Sequence, residues 1–270
     1  MLGTLSIVVV FVAIYLFLIA PRICHKPDRT PLMGWHYAHR GLFDNETDAP
    51  ENSLPAIKKA VEAGFGIEFD VQLSKDDKLV VFHDATLTRM CGVDGNVWDY
   101  TLEELKRFTL LESGAKIPTF GEALEEVGGK VPLVIEYKMD RPLTKVCELA
   151  NEVLKDYDGV YCIESFHPLA VLWYRKNRPD IVRGQLSQEH YRYPQYRKNP
   201  AMYLVALLLT NVAARPDFVA YNEKHYKNLS RRLFGLLGGL SVAWTIRSVE
   251  RYEEVKNEFD LFIFDSCLLD

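Results

Sequence analysis

Four short motifs carry residue types suited to acid–base and metal chemistry: His39-Arg40-Gly41, Glu68-Phe69-Asp70, His83-Asp84 and Glu136-Tyr137-Lys138. Each closes a short apolar run. If the runs are strands, their period of two puts Glu68 and Asp70 on one face with Phe69 on the other, and Glu136 on the same side as Lys138. Charge placed inside an apolar strand is costly unless it is paired or metal-bound. Three acids converging with two histidines can hold a hard divalent cation beside groups that give and take protons. Taken singly, a strand-ending histidine or an E-x-D pair is usually structural. Their joint occurrence at successive strand ends is what points to a site. Asp84 either orients His83 or caps the following turn.

The elements that must position these groups follow from periodicity. Short apolar runs alternate with longer helical patterns, the signature of parallel βα units. The spacing predicts strands at His36–His39, Gly66–Val71, Leu133–Tyr137, Tyr161–Ser165, Val182–Ser187, Asp217–Tyr221, Val242–Thr245 and Leu261–Phe264. Helices are expected at Ser53–Ala63, Leu143–Asp156, Leu169–Asn177, Ala201–Ala213 and Val249–Asn257. About eight such units predict a (β/α)₈ barrel, whose strand C-terminal ends form the active face. One piece breaks the alternation: Lys75-Asp76-Asp77-Lys78 leaves no room for a helix before Leu79–Asp84, so a hairpin is expected. A turn centred on Asp76 and Asp77 would set Ser74 opposite Leu79 and Asp70 opposite His83. The glycine-containing stretch from about 85 to 117 reads as an insertion over one end of the barrel.

Composition sets outer limits. The 270 residues suffice for one large domain, and 48% hydrophobic with 26% charged residues is the balance of a folded chain. A formal net charge of −5 leaves no basic footprint for nucleic acid. Five scattered cysteines (Cys24, Cys91, Cys147, Cys162, Cys267) form no CxxC pair, so neither a zinc site nor a disulfide framework is indicated, and a reducing compartment is expected.

Leu2 to Ala20 contains no charge. At 1.5 Å per residue it reaches about 28 Å, close to the hydrocarbon thickness of a bilayer. No Lys or Arg precedes it and no small-x-small exit follows, so it reads as an uncleaved single-pass anchor rather than a signal peptide. The expected layout is a transmembrane anchor at 2–20, a linker at 21–34 and the barrel domain at 35–270. Arg22, Lys26 and Arg29 follow the span, which by the positive-inside rule predicts a cytoplasmic domain.

The stretch AHRG…APENS…IEFDVQLSKDDKLVVFHDATLTRMCG…IPTFGEAL…VPLVIEYK resembles the glycerophosphodiester phosphodiesterases. The resemblance runs from Tyr37 onward and is sharpest in the first 100 residues of the domain. The anchored layout is similar to that of membrane-tethered bacterial members. It implies that His39 and His83 are the general acid and base, and that Glu68, Asp70 and Glu136 bind a divalent metal ion, Ca²⁺ or Mg²⁺. It places Arg40 and Lys138 near the phosphate, and Phe166 and Trp244 along the glycerol or leaving-group pocket. Glu51 of the PEN motif either touches the site or serves as a helix N-terminal acid. The implied reaction is hydrolysis of a glycerophosphodiester, small-molecule or lipid-derived, to sn-glycerol 3-phosphate and an alcohol. A lysophospholipase D-like activity on membrane lysolipids is the alternative. A silent membrane-bound binding module predicts loss of at least one of the five central residues, and none is lost. Two positions depart from the family pattern: Arg247 stands where Asn is frequent, and no Pro follows Phe264-Asp265-Ser266-Cys267.

Overall fold

Strand and helix alternate along the chain because most of the apolar runs are followed by a segment with a side-chain cap at its start. Ser53 shows how one such helix starts: its side chain accepts from the backbone N–H of Ala56, and Gly64 at φ 76° ends the ten-residue helix. The computed structural model describes residues 2–139, 144–265 and 269. Helix α1 (Leu2–Ile19) precedes strand β1 (His36–His39) and helix α2 (Leu54–Ala63). The hairpin β2 (Gly66–Leu73) and β3 (Leu79–Val81) follows, then two short helices of the insertion, α3 (Thr88–Cys91) and α4 (Leu102–Leu105). The remainder alternates: α5 (Phe120–Val127), β4 (Leu133–Tyr137), α6 (Lys145–Leu154), β5 (Tyr161–Ser165), α7 (Pro168–Asn177), β6 (Arg183–Ser187), α8 (Pro200–Ala206), α9 (Asn211–Ala214), β7 (Phe218–Asn222), α10 (Leu229–Leu236), β8 (Leu240–Ile246), α11 (Val249–Val255) and β9 (Leu261–Phe264). The expected start of a helix at Leu143 lies outside the described residues, as does Cys267.

Strands β1, β2, β4, β5, β6, β7, β8 and β9 pair in parallel and close on one another, β9 against β1, as a (β/α)₈ barrel. The two faces of each strand serve two cores. Tyr37, Val134, Cys162, Leu186, Ala220 and Ile263 fill the interior, whereas Phe69, Ile135, Ile163, Val219 and Phe262 face the helices. Phe69 meets Phe120 of α5 edge-on, as its parity requires. Residues 21–34 close the N-terminal end of the barrel. Leu32 enters the interior core, and Arg22 pairs with Asp217 at 3.3 Å. The insertion folds on the hairpin with a small core of its own, Val80, Phe82, Leu87, Met90, Val97 and Leu105 among others.

Three sequence expectations change. First, the hairpin is one residue tighter: Leu73 pairs with Leu79 and Val71 with Val81. Ser74 N–H donates to Lys78 O at 2.9 Å across a three-residue loop, with Asp77 left-handed at φ 58°. Phe82, not His83, is therefore opposite Asp70, its N–H donating to Asp70 O at 3.0 Å.

Second, the apolar run Ala201–Ala213 is not one helix. It breaks at Leu208, φ 59°, into α8 and α9. The vacated strip of the helix layer is taken by the end of α1, where Ile19 shares a core with Leu208, Tyr221 and Phe234.

Third, the membrane span expected over 2–20 is not recovered. Ile19 and Ala20 are buried, Asn211 donates to Ile19 O at 3.1 Å, and Tyr15 and Ser230 share a hydroxyl hydrogen bond of 2.7 Å. The stretch ahead of Tyr15 rises only about 20 Å, short of the ~30 Å of a bilayer core. Among the described residues no helix is long and apolar enough to cross a membrane. Hydropathy alone counts residues that the fold uses for packing.

Candidate active site

Strand register brings the chemistry together. His39 is in register with Glu68, Asp70 with Glu136, and Glu136 with Glu164. Parallel neighbours in register share a face, so these side chains lie on the inner wall near the strand C-terminal ends. Glu68, Asp70 and Glu136 are buried, and one oxygen from each lies within 4.8 Å of the others. Oxygens held ~2.3–2.6 Å from a shared Ca²⁺ can be at most ~5 Å apart, so the set fits a hard cation in number, type and spacing. Burial, together with the charges of Asp70 and Glu136, raises the Glu68 carboxyl well above its ordinary value. Such mutual repulsion is what a bound cation relieves.

Two side-chain cations already balance part of this charge. Lys138 Nζ lies 2.9 Å from Asp70 Oδ1 and 2.7 Å from Glu136 Oε1. Arg40 Nε lies 3.5 Å from Asp70 Oδ2, and the Arg40 backbone N–H donates to Glu68 Oε2 at 3.1 Å. Burial opposes ionisation of Asp70, yet Lys138, His83 and Arg40 hold it well below the usual carboxylate range. The left-handed backbone at Arg40 (φ 59°) and Gly41 (φ 82°) aims that N–H inward. A Cβ at Gly41 would lie 2.7 Å from the backbone of Ala56, so only glycine fits the turn.

The histidines approach from two sides. His39 Nε2 is 3.9 Å from Glu68 Oε2, and its Nδ1 is 3.9 Å from Asp265 Oδ2. Burial, reinforced by Arg40, lowers His39 to about 4. His83 reaches the site although its strand has ended. Gln72 Nε2 donates to Phe82 O (2.7 Å) and Asp84 O (2.9 Å), pinning the chain as it leaves β3. His83 Nδ1 then meets Asp84 Oδ1 at 2.6 Å, so Asp84 orients the ring.

Glu51 lies behind Arg40 rather than along the cavity. Arg40 Nη1 donates to it at 2.6 Å, and Arg89, from the insertion, donates to both its oxygens at 2.7 Å. The same guanidinium holds Asp84, Nε to Oδ2 at 2.6 Å. Arg89 thus ties the His83 side of the site to the Arg40 side. Burial works against the Glu51 anion, but Arg89, Arg40 and Asn45 prevail and its carboxyl lies at about 2. From an unfolded value of 4.5, its contribution is complete above that pH and is lost as pH falls from there through 2. The shift is worth about 3 kcal/mol, roughly 2 of it lost by about pH 3. Urea unfolding from about pH 6 to about pH 3 should therefore cost wild type roughly 2 kcal/mol more than Glu51→Gln. Parallel pH curves for the two proteins would contradict this.

Phe166 and Trp244 meet edge-on at 5.5 Å. With His39, Arg40, Glu68, His83, Glu136 and Lys138 they line a cavity of about 120 Å³. All nine residues singled out in the sequence besides Glu51 thus gather here, Asp70 from beneath through Lys138 and Arg40. Several others were missed. Glu164 is a fourth buried acid on the cavity wall, and its parity in β5 was the available signal, the same one that marks Glu136 in β4. Asn52, next to Glu51, donates to Asp70 at 2.8 Å. Asp265 faces His39 and receives Arg247 Nε at 3.2 Å. Nothing local in the sequence marks Arg89. His167, which follows β5, is structural, its Nδ1 accepting from Leu169 N–H at the start of α7.

A family model described as the glycerophosphoryl diester phosphodiesterase family matches residues 39–234. A glycerophosphodiester phosphodiesterase of Caldanaerobacter subterraneus is 39% identical over 162 residues, covering 56% of this chain and 65% of that relative. The chain thus spans just under two thirds of that relative's length. One from Bacillus altitudinis is 32% identical over 170 residues, covering 58% and 68%. Among solved structures, a glycerophosphodiester phosphodiesterase from Thermotoga maritima has a TM-score of 0.65 at 28% identity, covering 84% of this chain and 92% of that one. An Oleispira antarctica phosphodiesterase, in complex with the product sn-glycerol-3-phosphate, has a TM-score of 0.68 at 22% identity, covering 86% and 93%, a likeness of fold.

Proposed function

The chain belongs to the glycerophosphoryl diester phosphodiesterase family, and from that premise we propose that it hydrolyses glycerophosphodiesters to sn-glycerol 3-phosphate and an alcohol. One observation carries the reading: His39 and His83 share a single cavity with the Glu68–Asp70–Glu136 cluster. A divalent cation, Ca²⁺ or Mg²⁺, held by those carboxylates would neutralise charge on the phosphoryl oxygens.

The chain's own residues supply the rest. Arg40 and Lys138 bring positive charge to the cavity wall and hold the phosphodiester there. Phe166 and Trp244 pack against the glycerol or leaving group and keep water from it. His39 takes the proton of the attacking hydroxyl, whether water or the neighbouring glycerol hydroxyl. His83 gives a proton to the departing alkoxide. This division rests on Asp84: its hydrogen bond to His83 Nδ1 fixes the ring and turns the other nitrogen toward the departing oxygen.

Release of sn-glycerol 3-phosphate from glycerophosphocholine should cease on chelation and return with Ca²⁺ or Mg²⁺. Undiminished turnover by protein shown to be metal-free would remove the cation from the reaction.

A further inference from the structure

Helix α1 runs down the outside of the barrel from its catalytic end. Tyr15 bonds Ser230 at the start of α10, which is the strand C-terminal end. Phe17 O and Ala20 O accept from Arg215, and Arg22 N–H donates to Pro216 O just before β7 begins. Everything ahead of Tyr15 therefore projects past the end of the barrel that carries the cavity. Its side chains are apolar at successive positions: Ile7, Val8, Val9, Val10, Phe11 and Val12 are each 52–68% exposed. Consecutive positions cover every side of a helix. A protein groove covers one stripe of a helix, whereas one that is apolar all round calls for burial on every side.

The two loops that flank the projecting helix say what buries it. The loop after β6 carries half-buried Tyr191, Tyr193 and Tyr196 beside exposed Arg197 and Lys198. The loop after β7 presents exposed Lys224 and Lys227. Aromatic residues with Lys and Arg around an apolar helix make up the belt found where proteins meet a membrane surface. The acids of these loops, Glu189 and Glu223, are buried and paired with Arg192 and Arg251, which leaves the exposed charge positive. The first loop also reaches the cavity, where His190 packs edge-on against Phe166.

We propose that the catalytic end of the barrel docks on an anionic phospholipid bilayer, with α1 embedded ahead of Tyr15, so that the cavity faces the lipid. Entry by that stretch does not require the helix to cross. The docking stands on the surface alone. Its consequence, access to glycerophosphodiesters that carry one acyl chain and reside in the bilayer, rests on the proposed function.

Hydrogen exchange on the full chain tests it, with phosphatidylcholine vesicles compared against vesicles containing phosphatidylglycerol. Amides of 190–199 and 224–229 should exchange more than roughly tenfold slower on the anionic vesicles. The turns at 128–131 and 156–160, at the opposite end of the barrel, should not change. Arg197→Glu with Lys198→Glu should abolish the loop protection while leaving vesicle association through α1, and turnover of soluble glycerophosphocholine, intact. Equal exchange of the loops on both vesicles, or protection at the opposite end, overturns the docking. Protection without turnover would sink the catalytic reading and leave the docking standing.

Discussion

Replacing His83 by alanine lowers kcat on glycerophosphocholine roughly 10²–10⁴-fold, the usual worth of a positioned acid or base. His39→Ala has a loss of the same order, and the leaving group tells the two apart. If His83 protonates the departing alkoxide, a diester whose p-nitrophenolate departs as a stable anion has little need of it. His83→Ala then recovers most of its rate on that substrate, while His39→Ala stays impaired on both. Equal deficits on both substrates for both variants would refute the assignment made from Asp84. Near-normal turnover of glycerophosphocholine by folded His39→Ala would remove that residue from the chemistry.

Asp70→Ala is expected to cost both function and stability. Asp70 is fully buried and receives Asn52, Lys138 and Arg40. Two effects compete when its carboxylate is removed. Repulsion with Glu68 and Glu136 is relieved, but Lys138 loses one of its two partners and Arg40 one of its acids. The depressed pKa of Asp70 decides between them, since its anion is favoured in the fold. Breaking a buried pair by removing one partner costs about 3–5 kcal/mol. Denaturant unfolding should show that loss, and the stabilisation of wild type by added Ca²⁺ or Mg²⁺ should vanish with it. Glu164→Gln is the contrast. Burial and the charge of Glu136 raise Glu164 well above the ordinary carboxylate range, so an uncharged amide in its place is expected to cost less stability than Asp70→Ala. If Asp70→Ala were as stable as wild type, the cluster would be held by the backbone alone.

The parts of the site that were legible in the sequence share one property: each is local to a strand end. Period-two parity puts Glu68 and Asp70 on one face without knowledge of any other strand, and the same holds for Glu136 and Lys138. All eight expected barrel strands agree with the observed ones to within two residues at each end. Two of the expectations that failed, the hairpin register and the single helix over 201–213, turned on the backbone of one or two residues. The hairpin slipped by one because Asp77 adopts a left-handed turn that four polar residues do not announce. His83 still arrived, because Gln72 turns the chain inward after β3 ends.

The sequence by itself marked out the barrel and the five central residues as candidates for acid–base and metal chemistry, since residue type at successive strand ends is enough for that, although parity misplaced His83. Tertiary structure alone decided the rest. Arg89 comes from an insertion to bridge Asp84 and Glu51, Asn52 reaches across to Asp70, and Asp265 closes on His39 from the last strand. Apart from the Arg89–Asp84 link, each is a contact between groups well separated in the chain, and no pattern along the chain encodes such a distance. The same reason governs the N-terminal helix. Its composition is legible as apolar, but only packing against α9 and α10 shows that its last turn belongs to the barrel and that the remainder projects from the catalytic end.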